Sequence, residues 1–289
     1  MTTSILTSPT ATSPGAASSD EDVRLTFPRI VTSEWIKFRT LRSTLWVLGV
    51  TIVLMVGVSV LFAFGLKTAL ASAPPGSPAP YPGATVITAG YYFGQLAVAV
   101  LGVLVISGEY STGMIRSTLA AVPTRLPALA AKALVLAVSS FVVGIVGVGL
   151  SYLATMSLLP ANMAPAFGEP ETIRIVLGSA LYLSAISLLA FALGALLRHS
   201  AAALASVFGL LLVLPIVFTL VPGPFTQKVS PFLPAAAGGQ LMAPQATIDA
   251  MSKAATGTFL GPWQGFAILI AWVVVILAAA VVLLRRRNA

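Results

Sequence analysis

The stretch WQGFAILIAWVVVILAAAVVLL, residues 263–284, runs for 22 residues without an Asp, Glu, Lys or Arg and is followed at once by Arg285, Arg286 and Arg287. About 20 apolar residues at 1.5 Å rise cover the hydrocarbon core of a bilayer, so this stretch reads as a membrane-spanning helix with a basic stop. Five other stretches lack the same four residue types over similar lengths: 45–66, 86–106, 133–159, 175–197 and 201–221. All six are continuously apolar, without the in-and-out alternation that a barrel strand of about 10 residues shows. The sequence therefore predicts an all-α membrane protein with six transmembrane helices. Composition agrees: 57% of the 289 residues are hydrophobic, 8% are charged, and the mean hydropathy is +0.98, far above a soluble domain.

No room is left for a large soluble domain. Residues 1–23 are rich in Ser, Thr, Pro and Ala, carry Asp20, Glu21 and Asp22, and cannot bury enough apolar surface to offset ordering, so a disordered tail is expected. The first apolar run starts near residue 45, too late and too long for a signal peptide, and is expected to stay in the mature protein. The chain thus divides into a tail (1–23), an amphipathic segment (24–44) and a six-helix domain (45–289). There is no cysteine, which excludes disulfides and thiolate chemistry.

Six spans place both termini, the 107–132 loop and the 198–200 turn on one side. That side holds Arg24, Arg29, Lys37, Arg39, Arg42, Arg116, Arg125, Lys132, Arg198 and Arg285 to Arg287, twelve basic residues against four on the other, Lys67, Arg174, Lys228 and Lys253. The excess of positive charge predicts cytoplasmic termini and a multi-pass protein of the cytoplasmic membrane. It also accounts for most of the net charge of +8. The basic residues are dispersed at span ends near an anionic leaflet, without a nucleic-acid-binding motif, so no nucleic-acid partner is expected.

No G-x-x-x-x-G-K-[ST] phosphate loop occurs, and the chain is not expected to be an enzyme in its own right. The single histidine, His199, has no carboxylate neighbours in sequence and reads as a solvated loop residue, so neither a metal site nor a catalytic base is expected. The six uncharged runs hold no ionisable residue, which disfavours an ion-coupled carrier. What they hold is uncharged polarity, with Tyr91, Tyr92 and Gln95 clustered in the second run. Such groups serve interhelical hydrogen bonding or a substrate path of low charge. Gly144, Gly147 and Gly149 mark the third run as a close-packing helix.

Two segments outside the spans are patterned. In FPRIVTSEWIKFRTLRSTLW, residues 27–46, Pro28 suits a first helical turn, and Ile30, Val31, Trp35, Phe38, Leu41 and Leu45 fall within an arc of about 140°. Lys37 and Arg39 lie outside that arc, as a helix in the membrane interface requires. Glu34 falls inside it, and is accounted for by pairing with Lys37 one turn on or by facing a protein partner. In ISGEYSTGMIRSTLAAVPTRLPALAAK, residues 106–132, Ser111 or Thr112 can cap a short helix that Pro123 ends. Met114, Ile115, Leu119 and Val122 share one face of it, with Arg116 outside. That face is covered either by the protein's own helix ends and lipid or by the groove of a cytosolic subunit. Glu109 closes the second run, where a helix C-terminus disfavours negative charge, and needs a cation such as Arg116, Arg125 or a residue of a partner.

These residues resemble the permease subunits of type-2 ABC exporters, particularly the six-span actinobacterial kind. SEWIKFRTLRST looks like the family's interfacial elbow helix, SGEYSTGMIRSTLAAVPTR like its coupling loop, and VSPFLPAAAGGQL like the segment before its last span. The resemblance implies that the loop docks on a separate cytosolic ATP-binding subunit, which binds ATP and Mg. It also implies that two permease bodies, identical or homologous, enclose the path, with Glu109, Gly113 and Arg116 as the positions carried over for coupling. In the family the segment matching 222–262 often dips into the outer face of the membrane. The expectation is an exporting permease; the rivals are an ion-coupled carrier or channel, and a membrane anchor or regulator of a cytosolic partner.

Overall fold

The computed structural model describes residues 26–74, 81–113, 126–160, 163, 165–254 and 259–286. Among these there is no strand, and six helical stretches are long and apolar enough to cross a membrane: Arg42–Ala71, Gly83–Tyr110, Leu126–Thr155, Pro170–Leu197, Ser200–Leu220 and Pro262–Leu283. The six-helix all-α fold is as expected, but most of these helices run past the uncharged runs. Lys67, Glu109, Lys132, Glu171 and Arg174 therefore lie within the spans, not between them. The tail (1–23) and Met114, Ile115, Arg116, Leu119 and Arg125 lie outside the described residues.

Helix α1 (Phe27–Thr40) carries proline in its first turn and stops at Leu41, whose backbone is extended (φ −74°, ψ 113°), before α2 (Arg42–Ala71) begins. The amphipathic helix is thus shorter than 24–44, and Leu45 belongs to the first span. The second span is made of α3 (Gly83–Thr88) and α4 (Tyr91–Thr112). Ser59 of α2 bridges their junction, donating to the Ile87 carbonyl at 3.2 Å and accepting the Gly90 N–H at 3.4 Å. In an apolar environment such a side chain satisfies backbone groups that the interruption releases. Helix α5 (Leu126–Thr155) and α6 (Pro170–Leu197) form the third and fourth spans.

The fifth span joins α7 (Ser200–Phe208) to α8 (Leu214–Leu220) through a π-helical turn, Gly209–Val213, in which the Leu214 N–H reaches the Gly209 carbonyl. Pro215 follows directly; having no N–H and a ring that crowds the preceding turn, it is accommodated where the helix is already widened. Helix α7 is capped at its N-terminus by His199, whose Nδ1 accepts the Ala202 N–H at 3.3 Å, so the exposed histidine opens a helix. The last span is α12 (Pro262–Arg286).

Helix α6 is the centre of the molecule, with α4, α5 and α12 packed around it, α2 against α4 and α5, and α1 against α5. Leu183, Ile186, Leu189 and Ala190 of α6 are buried with Val98, Ala99 and Val103 of α4. Close approach requires glycine at several places, among them Gly102, whose Cβ would meet the Ser187 carbonyl at 2.3 Å, and Gly144, whose Cβ would meet the Ala180 Cα at 2.8 Å. Gly149, grouped with Gly144 by its spacing, instead faces open space.

Between α8 and α12 the chain forms α9 (Pro224–Val229), α10 (Pro234–Gly239) and α11 (Gln245–Ala254). Helix α10 packs on α12, and Gly238 contacts Tyr182 and Leu269. Tyr182 lies twelve residues into α6, about 18 Å along its axis. Arg174 fixes this segment by donating to the carbonyls of Leu241 and Ala243, both at 2.9 Å, and Glu171 accepts the Gln245 N–H at 2.9 Å.

Gly102→Ala is expected to lower stability by about 1–3 kcal/mol, since the α4 to α6 contact cannot take a methyl group without backbone movement. Gly49→Ala on α2, where nothing lies within 4 Å, should leave the thermal midpoint of the detergent-purified protein at or above the wild-type value. Equal midpoints for the two variants would refute the close packing.

Candidate functional site

Helix α1 buries Ile30, Glu34 and Phe38, a row at intervals of four residues, against α5. On α5 the row that meets it carries Ala128, Ala131, Lys132 and Val135, all buried. The alanines let the helices approach, and Ile30 packs with Ala128 and Ala131. Two turns along, Phe38 packs with Ile106 of α4 and Val135 of α5. Between these two apolar contacts sit Glu34, Lys132 and Glu109, only 4%, 5% and 8% exposed.

Lys132 Nζ donates to Glu34 Oε2 at 2.5 Å and to Glu109 Oε1 at 2.8 Å. Lys37 Nζ donates to Glu34 Oε1 at 3.1 Å and lies 3.8 Å from Glu109 Oε1. Two carboxylates and two ammonium groups thus balance in charge, and one lysine ties three helices together through charge-assisted hydrogen bonds. Glu109 is in the last turn of α4, where the helix dipole disfavours a negative charge, and Lys132 supplies the cation that this position needs. Its partners among the described residues are therefore Lys132 and Lys37. The pairing of Glu34 with Lys37 one turn on is present, and Lys132 of α5 adds a second partner from within the chain. Oε2 of Glu109 is buried and accepts no hydrogen bond among the described residues.

Gly113 ends α4 in the left-handed conformation, φ 73°, with its N–H on the Tyr110 carbonyl. That is the usual means of stopping a helix with glycine. Arg198, the only other described residue at positive φ (55°), caps α6 and holds its guanidinium 5.4 Å from the centre of the Tyr110 ring. The turn between the fourth and fifth spans therefore rests on the end of the second. Trp35 and Arg39 lie on the exposed side of α1, with Trp35 stacked on Phe38 at 6.4 Å.

The second cluster is only partly a unit. Tyr91 and Gln95 are buried, while Tyr92 is 59% exposed. Tyr182 of α6, which the sequence grouping left out, donates to Gln95 Oε1 at 2.5 Å and meets Tyr91 edge to face at 5.4 Å. Gln95 Nε2 donates to the Tyr92 carbonyl at 3.0 Å. These bonds join α4 to α6 in the core.

By charge alone Lys132 ends an uncharged run and falls in the loop. Its phase gave the better signal: it shares a helical face with Ala128, Val135 and Ser139, all small or apolar, which places the charge on the packing side of α5. Its contact with Glu34 spans 98 residues and has no local signature.

No protein-family model matches the sequence, and no curated protein matches it.

Lys132→Met should be strongly destabilising, by about 3–5 kcal/mol, because it leaves two carboxylates buried without their shared cation. Adding Glu34→Gln and Glu109→Gln should restore most of the loss, as the only charge then left in the cluster is that of Lys37, whose side chain is 37% exposed. Thermal midpoints of the purified variants check this, and a wild-type midpoint for Lys132→Met would show that the cluster is solvated.

Proposed function

We propose that the chain is the membrane-spanning permease subunit of an ATP-driven transporter, exporting a substrate across the cytoplasmic membrane with a separate ATP-binding subunit. The observation that carries this reading is the bridge made by Lys132. It fixes α1 to the ends of α4 and α5, so force received by α1 or by the 114–125 loop reaches two spans together. The bonds are short and desolvated, and such a junction transmits displacement with little slack. In this reading Glu109, Gly113, Met114, Ile115, Arg116 and Leu119 form the contact with the ATP-binding subunit, and Glu34, Trp35, Lys37 and Arg39 belong to the elbow. A second copy or a homologous permease completes the path. The packing of α10 beside Tyr182 and Leu269 supports a segment that re-enters the membrane from the outer face.

The same cluster favours one rival. Buried carboxylates flanking a lysine at the end of a span are the kind of group through which ion-coupled carriers work. Purified alone in liposomes, the chain should hydrolyse no ATP and move no substrate on a proton or sodium gradient. Gradient-driven transport by the chain alone would select the carrier. With an ATP-binding subunit that co-purifies, Arg116→Ala is expected to weaken docking or to separate hydrolysis from transport, leaving membrane insertion intact.

Orientation has its own test, since the chain lacks cysteine. With single cysteines at Ser77, Thr124 and Thr247, an impermeant thiol reagent on intact cells should label positions 77 and 247 but not 124, as the twelve-to-four distribution of basic residues requires. The reverse pattern inverts the topology.

A further inference from the structure

The break between α1 and α2 leaves donors without acceptors. In a helix a threonine commonly bonds back to the carbonyl three or four residues earlier, as Thr40 and Thr51 do here. For Thr44 the carbonyl four back belongs to Thr40, across the break at Leu41. Thr44 is only 3% exposed, and its hydroxyl makes no hydrogen bond among the described residues. Unlike Oε2 of Glu109, that hydroxyl is not closed off from solvent-sized molecules. Thr44 lines a cavity of about 510 Å³ bounded by α1, α2, α4 and α5, a size within the roughly 300–1,000 Å³ of small-molecule sites. The α2 wall continues with Ser43, whose hydroxyl is likewise unbonded among the described residues, and the α1 wall carries Lys37. Farther in, Val47, Leu101 and Val105 make the lining apolar.

Three further features fix the sign of what the break accepts. The first turn of α2 has no side-chain cap and no acidic residue, so its N–H groups and the positive end of the helix dipole are unanswered. Lys37, whose side chain is 37% exposed, gives one hydrogen bond, to Glu34, out of the three an ammonium can give. Arg39 and Arg42, on either side of the break, are exposed and form no ion pair among the described residues. The carboxylates of Glu34 and Glu109 are already held by Lys132 and Lys37. The reachable groups that need a partner are therefore donors and positive charges, which rejects a cationic head and leaves an uncharged one poorly matched. A phosphate, with oxygens in several directions, answers donors on two helices at once, where the two oxygens of a carboxylate answer fewer. Basic pockets between spans take lipid headgroups in this way. We infer that the cavity binds an anionic glycerophospholipid, its phosphate accepting from Thr44, Lys37 and the first turn of α2, and an acyl chain lying along Val47, Leu101 and Val105. Leu41 and Leu104, which line the cavity and are exposed at the surface, give the chain an apolar route in. The site stands on the cavity and these donors, and holds whether the protein exports, conducts or anchors.

The test uses the full chain in phosphatidylcholine nanodiscs, with phosphatidic acid carrying a photoreactive diazirine in one acyl chain and adducts mapped by peptide mass spectrometry. Adducts should concentrate between Leu41 and Val47 and between Leu101 and Val105. Unlabelled phosphatidic acid should displace them at least roughly tenfold better than diacylglycerol or fatty acid of the same chain length, the factor that one hydrogen bond to a charged group supplies. Millimolar inorganic phosphate should not displace them, since it lacks the chain. Thr44→Val should weaken displacement by phosphatidic acid roughly tenfold while leaving displacement by diacylglycerol as it is. The thermal midpoint of that variant in phosphatidylcholine alone should stay at or above wild type, because the hydroxyl it removes has no partner within the chain. Val47→Trp, which fills the cavity, should abolish the adducts. Adducts spread over the spans, or indifferent to Val47→Trp, would overturn the site. Equal displacement by diacylglycerol or fatty acid, or an unchanged Thr44→Val, would overturn the phosphate contact, and displacement by inorganic phosphate would show a site for a free anion in place of a lipid.

Discussion

Lys132 stands where three helices meet, and the organisation of that end of the molecule follows from what a buried ammonium group demands. Removing such a charge from water costs several kcal/mol, which is recovered only if carboxylates of good geometry surround it. Glu34 and Glu109 meet that demand from helices far apart in sequence. The result is that α1, although it precedes the first span by a single residue, is fastened to the second and third spans. Its chain neighbour α2 is packed against α5 and α4 beyond it, and the cavity lies between them.

The opposite end is held by different means. There Arg174 is bonded to two backbone carbonyls of the segment after α10, and Glu171 to the backbone N–H that opens α11. Trp272 adds a third tie, its indole N–H donating to the Phe232 carbonyl at 2.9 Å. Bonds to backbone fix a segment in place whatever its side chains, while bonds between side chains, as at Lys132, depend on two or three residues being right at once. One end is therefore tolerant of sequence change and the other is not.

How much of this was legible follows the range of each interaction. The six spans could be read directly, because a continuous apolar run is a local property and lipid admits few other solutions for the backbone. Their ends could not. A charged residue ends an apolar run in sequence, but a helix continues as long as the charge finds a partner, as Glu109 and Lys132 do. Helix α1 was visible from its 3.6-residue pattern, and Glu34 was visible as an exception to it, yet the explanation lay 98 residues away. In the same way, Tyr91 and Gln95 were recognisable as polar groups in a span, while Tyr182, which bonds Gln95, lies on a different helix. Patterns reveal which face is buried, and only topology reveals what it is buried against.

The π-helical turn at Gly209–Val213 leaves the fifth span with unequal halves. Ala203 and Val207 of α7 are buried, and so is Leu211 within the turn, but none of the seven residues of α8 is. An extra residue in one turn advances everything after it by about 100°, so the apolar stripe that seats α7 is not continued. Local stability tracks the density of native contacts. Helix α8 is thus seated at the π-helical turn that precedes it, with none of its own residues buried, in contrast to the many buried residues of α6.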